Sequence, residues 1–267
     1  MILVTGASGQ LASLVLAHLD DRGVEAIGGS RSPAPGHRRM DFDDPDTIDL
    51  SGVTTLVLVS AGYAEDDRVI SRHGAVVDAA IRAGVEHVVY TSLAGAGDHL
   101  ALAPAHRATE RLVQDSGLSW TILRNGLYAE LLGGLLSWAD DGHLESAFGD
   151  GGLSAVARDD LAVAAATIAA DPSAHRGSVL ELVGTPVTAA DVASRLGIEH
   201  RTISLADLRG RLLASDDLLP FQPPMLMSIA TSIRHGFMDA TSPDLEQLLG
   251  RPLTDPLTVA AEVAARR

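Results

Sequence analysis

Short β-branched runs alternate with amphipathic helical stretches along the first two thirds of the chain, and this alternation limits the fold more than any other feature. Parallel strands need a long crossover between them, and helices of this length supply it. Right-handed crossovers in this order give the α/β class, with a doubly wound parallel sheet of the Rossmann type. The predicted strands are residues 2–4, 24–28, 39–42, 55–60, 87–92, 120–124 and 179–183, and the predicted helices are residues 11–19, 69–83, 105–115 and 160–170, the last with Asp159 or Asp160 as N-cap.

The remaining segments differ in composition and in predicted secondary structure. They are rich in glycine and leucine between 131 and 153, and mostly helical with proline interruptions from 186 onward. Such pieces are too short for cores of their own. We therefore predict a single domain over residues 1–267, in which residues 131–154 and 186–267 form a small, mostly helical substrate lobe. Ligands of open α/β sheets bind beyond the carboxyl ends of the strands, and we expect the lobe there.

A glycine turn follows the first predicted strand. Gly6, Gly9 and Ala12 form a G-x-x-G-x-x-A pattern that opens the first predicted helix. Gly6 permits a tight turn, and Gly9 lets the backbone approach a pyrophosphate at the helix N-terminus. An ordinary strand-to-helix turn is the alternative, but the position after an early strand favours a dinucleotide loop. The predicted cofactor contacts of this loop are Gly6, Ser8, Gly9, Gln10 and Leu11.

Residues near the end of the second predicted strand indicate whether the cofactor is NAD or NADP. Enzymes that use NAD place an acid there for the ribose 2′-hydroxyl, but this segment reads Gly-Gly-Ser-Arg-Ser over residues 28–32. The Arg31 guanidinium can pair with a 2′-phosphate, with help from Ser30, Ser32 and Arg38. A solvated loop position is the alternative for Arg31. The sequence therefore predicts NADP(H) as cofactor.

The composition excludes several kinds of catalytic and binding group. The chain has no cysteine, and all 20 of its basic residues are arginine. A thiolate nucleophile, a disulfide, a lysine Schiff base and the Tyr-x-x-x-Lys pair of many reductases are therefore impossible. The 10 histidines show no metal-binding spacing, and no Gly-x-Ser-x-Gly turn is present, so we expect neither a metal site nor a serine hydrolase.

The net charge of −15 limits the partners. It repels a phosphate backbone, and the basic pair Arg38–Arg39 is too small for a binding patch, so we expect no nucleic-acid partner. The first residues lack the charged region of a signal peptide, and no uninterrupted apolar run reaches about 18 residues. We therefore expect a cytoplasmic protein without a membrane partner. The sequence leaves a homodimer open.

Several segments together resemble the atypical short-chain dehydrogenases/reductases. More narrowly, the chain is similar to their NmrA-like group, which contains NADPH-dependent quinone reductases and triphenylmethane reductases. The most specific segment is residues 121–128, Thr-Ile-Leu-Arg-Asn-Gly-Leu-Tyr. Residues from about 200 to 240 match least. The other matching segments are residues 4–11, 89–93, 106–110, 116–120, 158–162 and 248–252.

The resemblance implies direct hydride transfer from the nicotinamide to an electron-poor acceptor. His106 and Glu110 take the place of the usual Tyr-Lys pair, four residues apart on one helix face. His106 could donate a proton near neutral pH, and a structural pairing with Glu110 is the equal alternative. A quinone or a cationic dye suits such a site, because its reduction gives a delocalised anion or a neutral molecule.

The same resemblance places further residues around the cofactor. Ser60, Ala61 and Gly62 match the family's loop over the adenine ribose and pyrophosphate. Thr91 and Ser92 are expected near the nicotinamide ribose. These roles rest on the resemblance alone.

Asn125 and Tyr128 are expected to flank the nicotinamide and the substrate, and both are counted with His106 as catalytic candidates. Tyr128 has a packing role in the lobe as its alternative. Phe42 is expected to stack on the adenine, with a core position in the third strand as an equal alternative.

Two functions follow from the resemblance. The first is an NADPH-dependent reductase of a small conjugated or aromatic substrate, quinone-like in kind. The second is a redox sensor that binds NADP without turnover and acts through a protein partner. The motif at Asn125 to Tyr128 and the presence of His106 favour turnover.

Overall fold

The predicted alternation is present in the structure, a computed structural model that describes residues 1–61 and 64–266. The strands are β1 (Ile2–Thr5), β2 (Ala26–Ser30), β3 (Arg38–Arg39), β4 (Thr55–Leu58), β5 (His87–Leu93), β6 (Ser119–Asn125), β7 (Ser137–Trp138), β8 (Leu144–Ser146), β9 (Gly152–Ala155), β10 (Ser178–Leu182), β11 (Thr185–Thr188) and β12 (His200–Thr202). The helices are α1 (Gln10–Asp21), α2 (Asp66–Ala83), α3 (Ala103–Asp115), α4 (Ala129–Gly134), α5 (Arg158–Ala170), α6 (Ala189–Leu196), α7 (Leu205–Leu213), α8 (Gln222–Arg234), α9 (Asp244–Leu249) and α10 (Pro256–Ala264).

Seven strands form the main sheet, in the order β10-β6-β5-β4-β1-β2-β3. Every pairing from β3 to β6 is parallel. The chain runs outward from β1 through β2 to β3, and then returns to β4 on the other side of β1. The predicted doubly wound α/β sheet is therefore confirmed, and its topological switch point lies between β1 and β4.

Several local bounds differ from the prediction: β2 begins and ends two residues later, and β4 ends at Leu58 and not at Ser60. Two further predictions are wrong. The third strand is limited to Arg38–Arg39, because the chain turns at Asp41, where the Thr47 hydroxyl binds the Asp41 backbone on both sides. The helix predicted from 160 starts at Arg158, so Asp159 and Asp160 lie in its first turn and neither is its N-cap. Acids in a first turn still interact favourably with the helix dipole.

The main sheet is buried because its central strands are apolar on both sides. All four residues of β1 and of β4, and all seven of β5, are buried. Complete burial, with apolar side chains on both faces as in residues 2–4 and 56–58, is typical of parallel strands that are covered by helices on both faces. Polar side chains therefore concentrate where these strands end, and this positions the site.

The chain divides into two compact units. The first comprises residues 1–93, 104–125 and 159–180, and holds most of the seven-stranded sheet. The second comprises residues 94–103, 126–158 and 181–267. The predicted lobe segments, 131–154 and 186–267, fall within the second unit. The assignment of the whole chain to a single domain stays a prediction.

The second unit combines short helices with two small sheets. β9 pairs with β11 antiparallel, while β8 lies between β7 and β12. Capping boxes at Thr188 and Ser204 start α6 and α7. Gly133 in α4 permits close packing on α10, since a Cβ there would lie 2.3 Å from the Ala260 carbonyl oxygen. Within the described ranges, no helix has both the length and the apolar character that a membrane crossing requires.

Candidate active site

The predicted cofactor residues of the first unit lie at one edge of the main sheet, where its parallel strands end. β1 and β2 run side by side, with Thr5 opposite Gly29, so the glycine turn and Arg31 follow neighbouring strand ends. β5 and β6 end together, with Leu93 opposite Asn125. The predicted residues at this edge are Gly6, Ser8, Gly9, Gln10, Leu11, Arg31, Ser60, Ala61, Thr91, Ser92 and Asn125; Gly62 lies outside the described residues.

The glycine turn has the features of an anion site. Gly6 has a φ of +67°, and a Cβ on Gly9 would lie 3.1 Å from the Gly6 carbonyl oxygen. α1 begins at Gln10 with no side-chain cap and no acid in its first turn. The first backbone N–H groups of a helix have no intrahelical acceptor, so those of Gln10 and Leu11 can bind a phosphate. Ser8, Gly9 and Gln10 are exposed, whereas the Leu11 side chain is buried.

Arg31 is exposed directly after β2, as a residue that reads a cofactor phosphate should be. Arg38 is less suited to the assisting role predicted for it, because its guanidinium donates to the carbonyl oxygens of Asp49 and Ser51, each at 2.8 Å. Phe42 is half-buried and packs against the core cluster that contains Leu3 and Met40. Its adenine-stacking role stays a prediction.

A charged cluster, consisting of Ser92, Arg107, Glu110 and Arg124, closes the ends of β5 and β6. Glu110 Oε1 accepts hydrogen bonds from the Ser92 hydroxyl at 2.6 Å and from Arg107 at 2.6 Å, and Arg124 donates to both carboxylate oxygens. Burial raises the pKa of Glu110, but the bonds from Arg124 and Ser92 and the charge of Arg107 outweigh it, so the pKa lies below its usual value. Glu110 is therefore ionised.

A neutral cluster, consisting of His73, Tyr90, His106 and Thr109, lies beside it. The Tyr90 hydroxyl is hydrogen-bonded to His106 Nδ1 at 3.0 Å. Burial lowers the pKa of His106 to about 4, with a further contribution from Arg107. The structural pairing of His106 with Glu110, one of the two alternatives for His106, is not present as a hydrogen bond, because each side chain binds other partners. A neutral ring at neutral pH also does not support His106 as a charged proton donor.

Asn125 is buried at the end of β6. Its Oδ1 has no hydrogen-bond partner among the described residues. A buried acceptor of this kind is costly unless a ligand or water satisfies it. The position therefore fits a ligand that presents an N–H or O–H donor, as the cofactor predicted at this edge does.

Tyr128 belongs to the second unit, where it immediately precedes α4. The Arg158 guanidinium carbon lies 4.5 Å from the centre of its ring, a cation–π contact. The Glu130 carboxylate accepts from the Arg158 backbone N–H at 3.3 Å. Burial raises the pKa of the Tyr128 hydroxyl, which therefore stays protonated. The ring thus has a packing partner, and its contact with a substrate stays a prediction.

Three residues that support the backbone at this edge were not predicted from the sequence. His37 Nδ1 accepts from the Gly28 N–H, Thr5 Oγ1 accepts from the Val59 N–H, and His73 accepts from the loop after β4. A threonine at a strand end could have been noticed, whereas no sequence signal marks a histidine within a helix. Gly28 is required here, since a Cβ would lie 2.5 Å from that of Ala7.

The described residues contain no group of three or more histidine, aspartate or glutamate side chains that could hold a metal ion. The fold and the residues at the strand ends define the class: an α/β protein that binds a dinucleotide at the ends of its parallel strands.

Comparison with known proteins identifies the family. The NAD(P)H-binding family matches residues 6–172. The chain is 32% identical to quinone oxidoreductase 2 of Escherichia coli over 276 aligned positions, which cover 95% of each chain. It is 29% identical to an NmrA-like family domain-containing oxidoreductase of Aspergillus flavus over 211 positions, or 72% of this chain and 69% of that protein. The Citrobacter triphenylmethane reductase, solved as a complex with NADP(H), superposes with a TM-score of 0.88 at 29% identity, covering 99% and 100% of the two chains.

This chain therefore belongs to the NAD(P)H-binding family and is an NAD(P)H-dependent oxidoreductase. The resemblance to the NmrA-like group of atypical short-chain reductases is confirmed. The prediction of NADP(H) agrees with the family and with the cofactor present in the Citrobacter structure.

Proposed function

We propose that this oxidoreductase is an NADPH-dependent reductase that transfers hydride directly to a quinone-like or other conjugated aromatic acceptor, without a Tyr-Lys pair. The observation that carries the proposal is the neutral state of His106. Its ring is buried, is bound to Tyr90 and has a pKa lowered to about 4. With no lysine in the chain either, this position offers no charged acid. This favours an acceptor whose reduction needs no strong proton donor.

The cofactor contacts come from the sheet edge. The backbone N–H groups at the start of α1 bind the pyrophosphate, with no carboxylate in the first turn to oppose it. Arg31 binds the 2′-phosphate, because its guanidinium offers several donors in one plane. When bound, NADPH supplies the hydride. The Citrobacter and Escherichia coli relatives, named as reductases of dyes and quinones, support this class of acceptor.

Asn125 and Tyr128 orient the reactants in this proposal. The unpaired Asn125 Oδ1 accepts a hydrogen bond from the nicotinamide side of the cofactor. The protonated Tyr128 hydroxyl donates to the acceptor, and the Arg158 guanidinium holds the ring in place. The homodimer and the cytoplasmic location stay predictions.

The decisive experiment follows the loss of NADPH absorbance with a panel of quinones and triphenylmethane dyes. We expect turnover with at least one conjugated acceptor and none with unactivated ketones. Calorimetry runs alongside it to measure NADPH binding. If NADPH binds but no acceptor is reduced, the reductase proposal fails, and the alternative of an NADP-binding sensor takes its place.

Arg31→Ala tests the cofactor preference. Loss of the charged hydrogen bonds should raise KM for NADPH by about 10- to 100-fold and leave KM for NADH unchanged. Arg82→Ala is the matched control, since it removes the same charge from an exposed site at the far end of α2. Equal preference for NADPH in the wild type and in Arg31→Ala would remove Arg31 from this role.

A further inference from the structure

The loop that follows β4 is held by side chains from three other elements. β4 ends at Leu58, and the next three backbone N–H groups bind side chains instead of a neighbouring strand. Val59 donates to Thr5 Oγ1 at 2.9 Å, Ser60 to Thr91 Oγ1 at 3.0 Å, and Ala61 to His73 Nε2 at 2.9 Å. All three acceptors belong to buried residues. Residues 59–61 are therefore fixed by bonds that water cannot easily replace.

His73 can act as an acceptor in only one state. Because Nε2 accepts from Ala61, the ring proton must be on Nδ1, which donates to Thr109 Oγ1 at 2.8 Å. The Thr109 hydroxyl in turn donates to the Ala105 carbonyl oxygen. Burial is the main reason why the pKa of His73 falls to about 3, so the ring is neutral. Both of its nitrogens are thus occupied.

The bond from the Ala61 N–H to His73 matters because residues 59–61 lie beside the predicted dinucleotide site. β4 lies next to β1 in the sheet, on the other side of β1 from β2, so the crevice of the topological switch point opens between the ends of β1 and β4. Dinucleotides bind in this crevice in open α/β sheets. The glycine turn after β1 forms one side of it, and Ser60 and Ala61 form the other.

We propose that His73 is a positioning residue for the dinucleotide, which holds the Ala61 N–H so that residues 59–61 are ordered before the cofactor arrives. His73 is fully buried and does not touch the cofactor itself. A loop that is already ordered loses less conformational freedom on binding, so the affinity is higher. This inference rests on the proposed NADPH site and adds a residue that neither the glycine motif nor the family match indicates.

Two substitutions separate the roles of the two ring nitrogens. His73→Gln places an amide near the position of Nε2 and keeps an acceptor for Ala61. His73→Asn places its amide near Nδ1, keeps a bond to Thr109 and leaves the Ala61 N–H without an acceptor. We expect His73→Asn to weaken NADPH binding about tenfold and His73→Gln to stay within about threefold of the wild type. Calorimetry measures both affinities, and urea unfolding without cofactor checks that both variants are fully folded under the conditions of the binding measurement.

Equal NADPH affinity of His73→Asn and the wild type would overturn this inference alone. A wild type that binds no NADPH would overturn the proposed function together with it. Amide hydrogen exchange on the wild type needs no variant: we expect the Val59, Ser60 and Ala61 amides to be protected before NADPH is added. An Ala61 amide that exchanges freely without NADPH and becomes protected with it would contradict the proposal.

Discussion

The charged cluster and the neutral cluster both include residues of α3, yet Glu110 in the first is ionised and His106 in the second is neutral. Glu110 in the charged cluster is ionised because two arginines and a serine bind it. His106 in the neutral cluster has a tyrosine as its partner, so burial decides its state and the ring loses its charge. Two positions of one helix therefore differ in charge because they meet different side chains: Ser92 and Arg124 of the sheet, with Arg107 of the helix, bind Glu110, whereas Tyr90 binds His106.

Geometry explains why the two residues are not paired. Four residues on a helix span about 6 Å, and two residues on a strand span about 6.6 Å. His106 and Glu110 therefore match Tyr90 and Ser92, which lie on one face of β5. Each helix residue meets its own strand residue, and the spacing that suggested a pair produces two separate contacts.

The pH dependence of stability should separate the clusters most clearly. His73 and His106 have pKa values lowered from 6.5 to about 3 and about 4. The unfolded chain takes up their protons first, so stability is lost as pH falls below about 6.5, by about 1.4 kcal/mol per pH unit for each histidine. The pKa of Glu110 is lowered from 4.5, so its contribution is present above that value and lost only in stronger acid.

Urea unfolding between about pH 7 and pH 5 measures this slope. His106→Gln removes one titrating group from the neutral cluster and should reduce the slope near pH 5 by about 1.4 kcal/mol per pH unit. An unchanged slope in that variant would mean that His106 is protonated in the folded protein.

Removal of the Glu110 charge should give the next largest effect. Glu110→Gln takes the carboxylate away from Arg107 and Arg124, whose side chains are 20% and 27% exposed, so water compensates in part. We expect a loss of about 2–3 kcal/mol in the free energy of unfolding at neutral pH. Asp115→Asn, at an exposed site of the same helix, is the control and should cost less than about 0.5 kcal/mol. Equal effects of the two substitutions would argue against a stabilising charged cluster.

The neutral cluster should respond more weakly to the loss of one bond. Tyr90→Phe removes the hydroxyl that binds His106 Nδ1 and keeps the buried ring. One neutral hydrogen bond contributes about 1 kcal/mol, and we expect a loss of that size in urea unfolding. A loss as large as that of Glu110→Gln would show that the two clusters do not differ as described.

The sequence predicted the sheet well because buried parallel strands are short, β-branched or apolar runs, as at residues 2–4 and 55–58. It also predicted that the glycine turn follows β1 and that Arg31 follows β2, since both positions depend only on where a strand ends. It could not predict the clusters on α3, because their partners Tyr90, Ser92 and Arg124 are distant in sequence. The Ala61 to His73 bond was hidden for the same reason.

Direct hydride transfer is the central claim, and isotopic labelling tests it. The purified protein is given NADPH that carries deuterium at one or the other C4 position of the nicotinamide, together with a cationic triphenylmethane dye. The hydride adds to the central carbon of the dye, which neutralises it and forms a bond that does not exchange with water. We predict one deuterium on that carbon in the mass spectrum of the colourless product, from only one of the two labelled cofactors. Reduced dye without deuterium from either cofactor would contradict the claim.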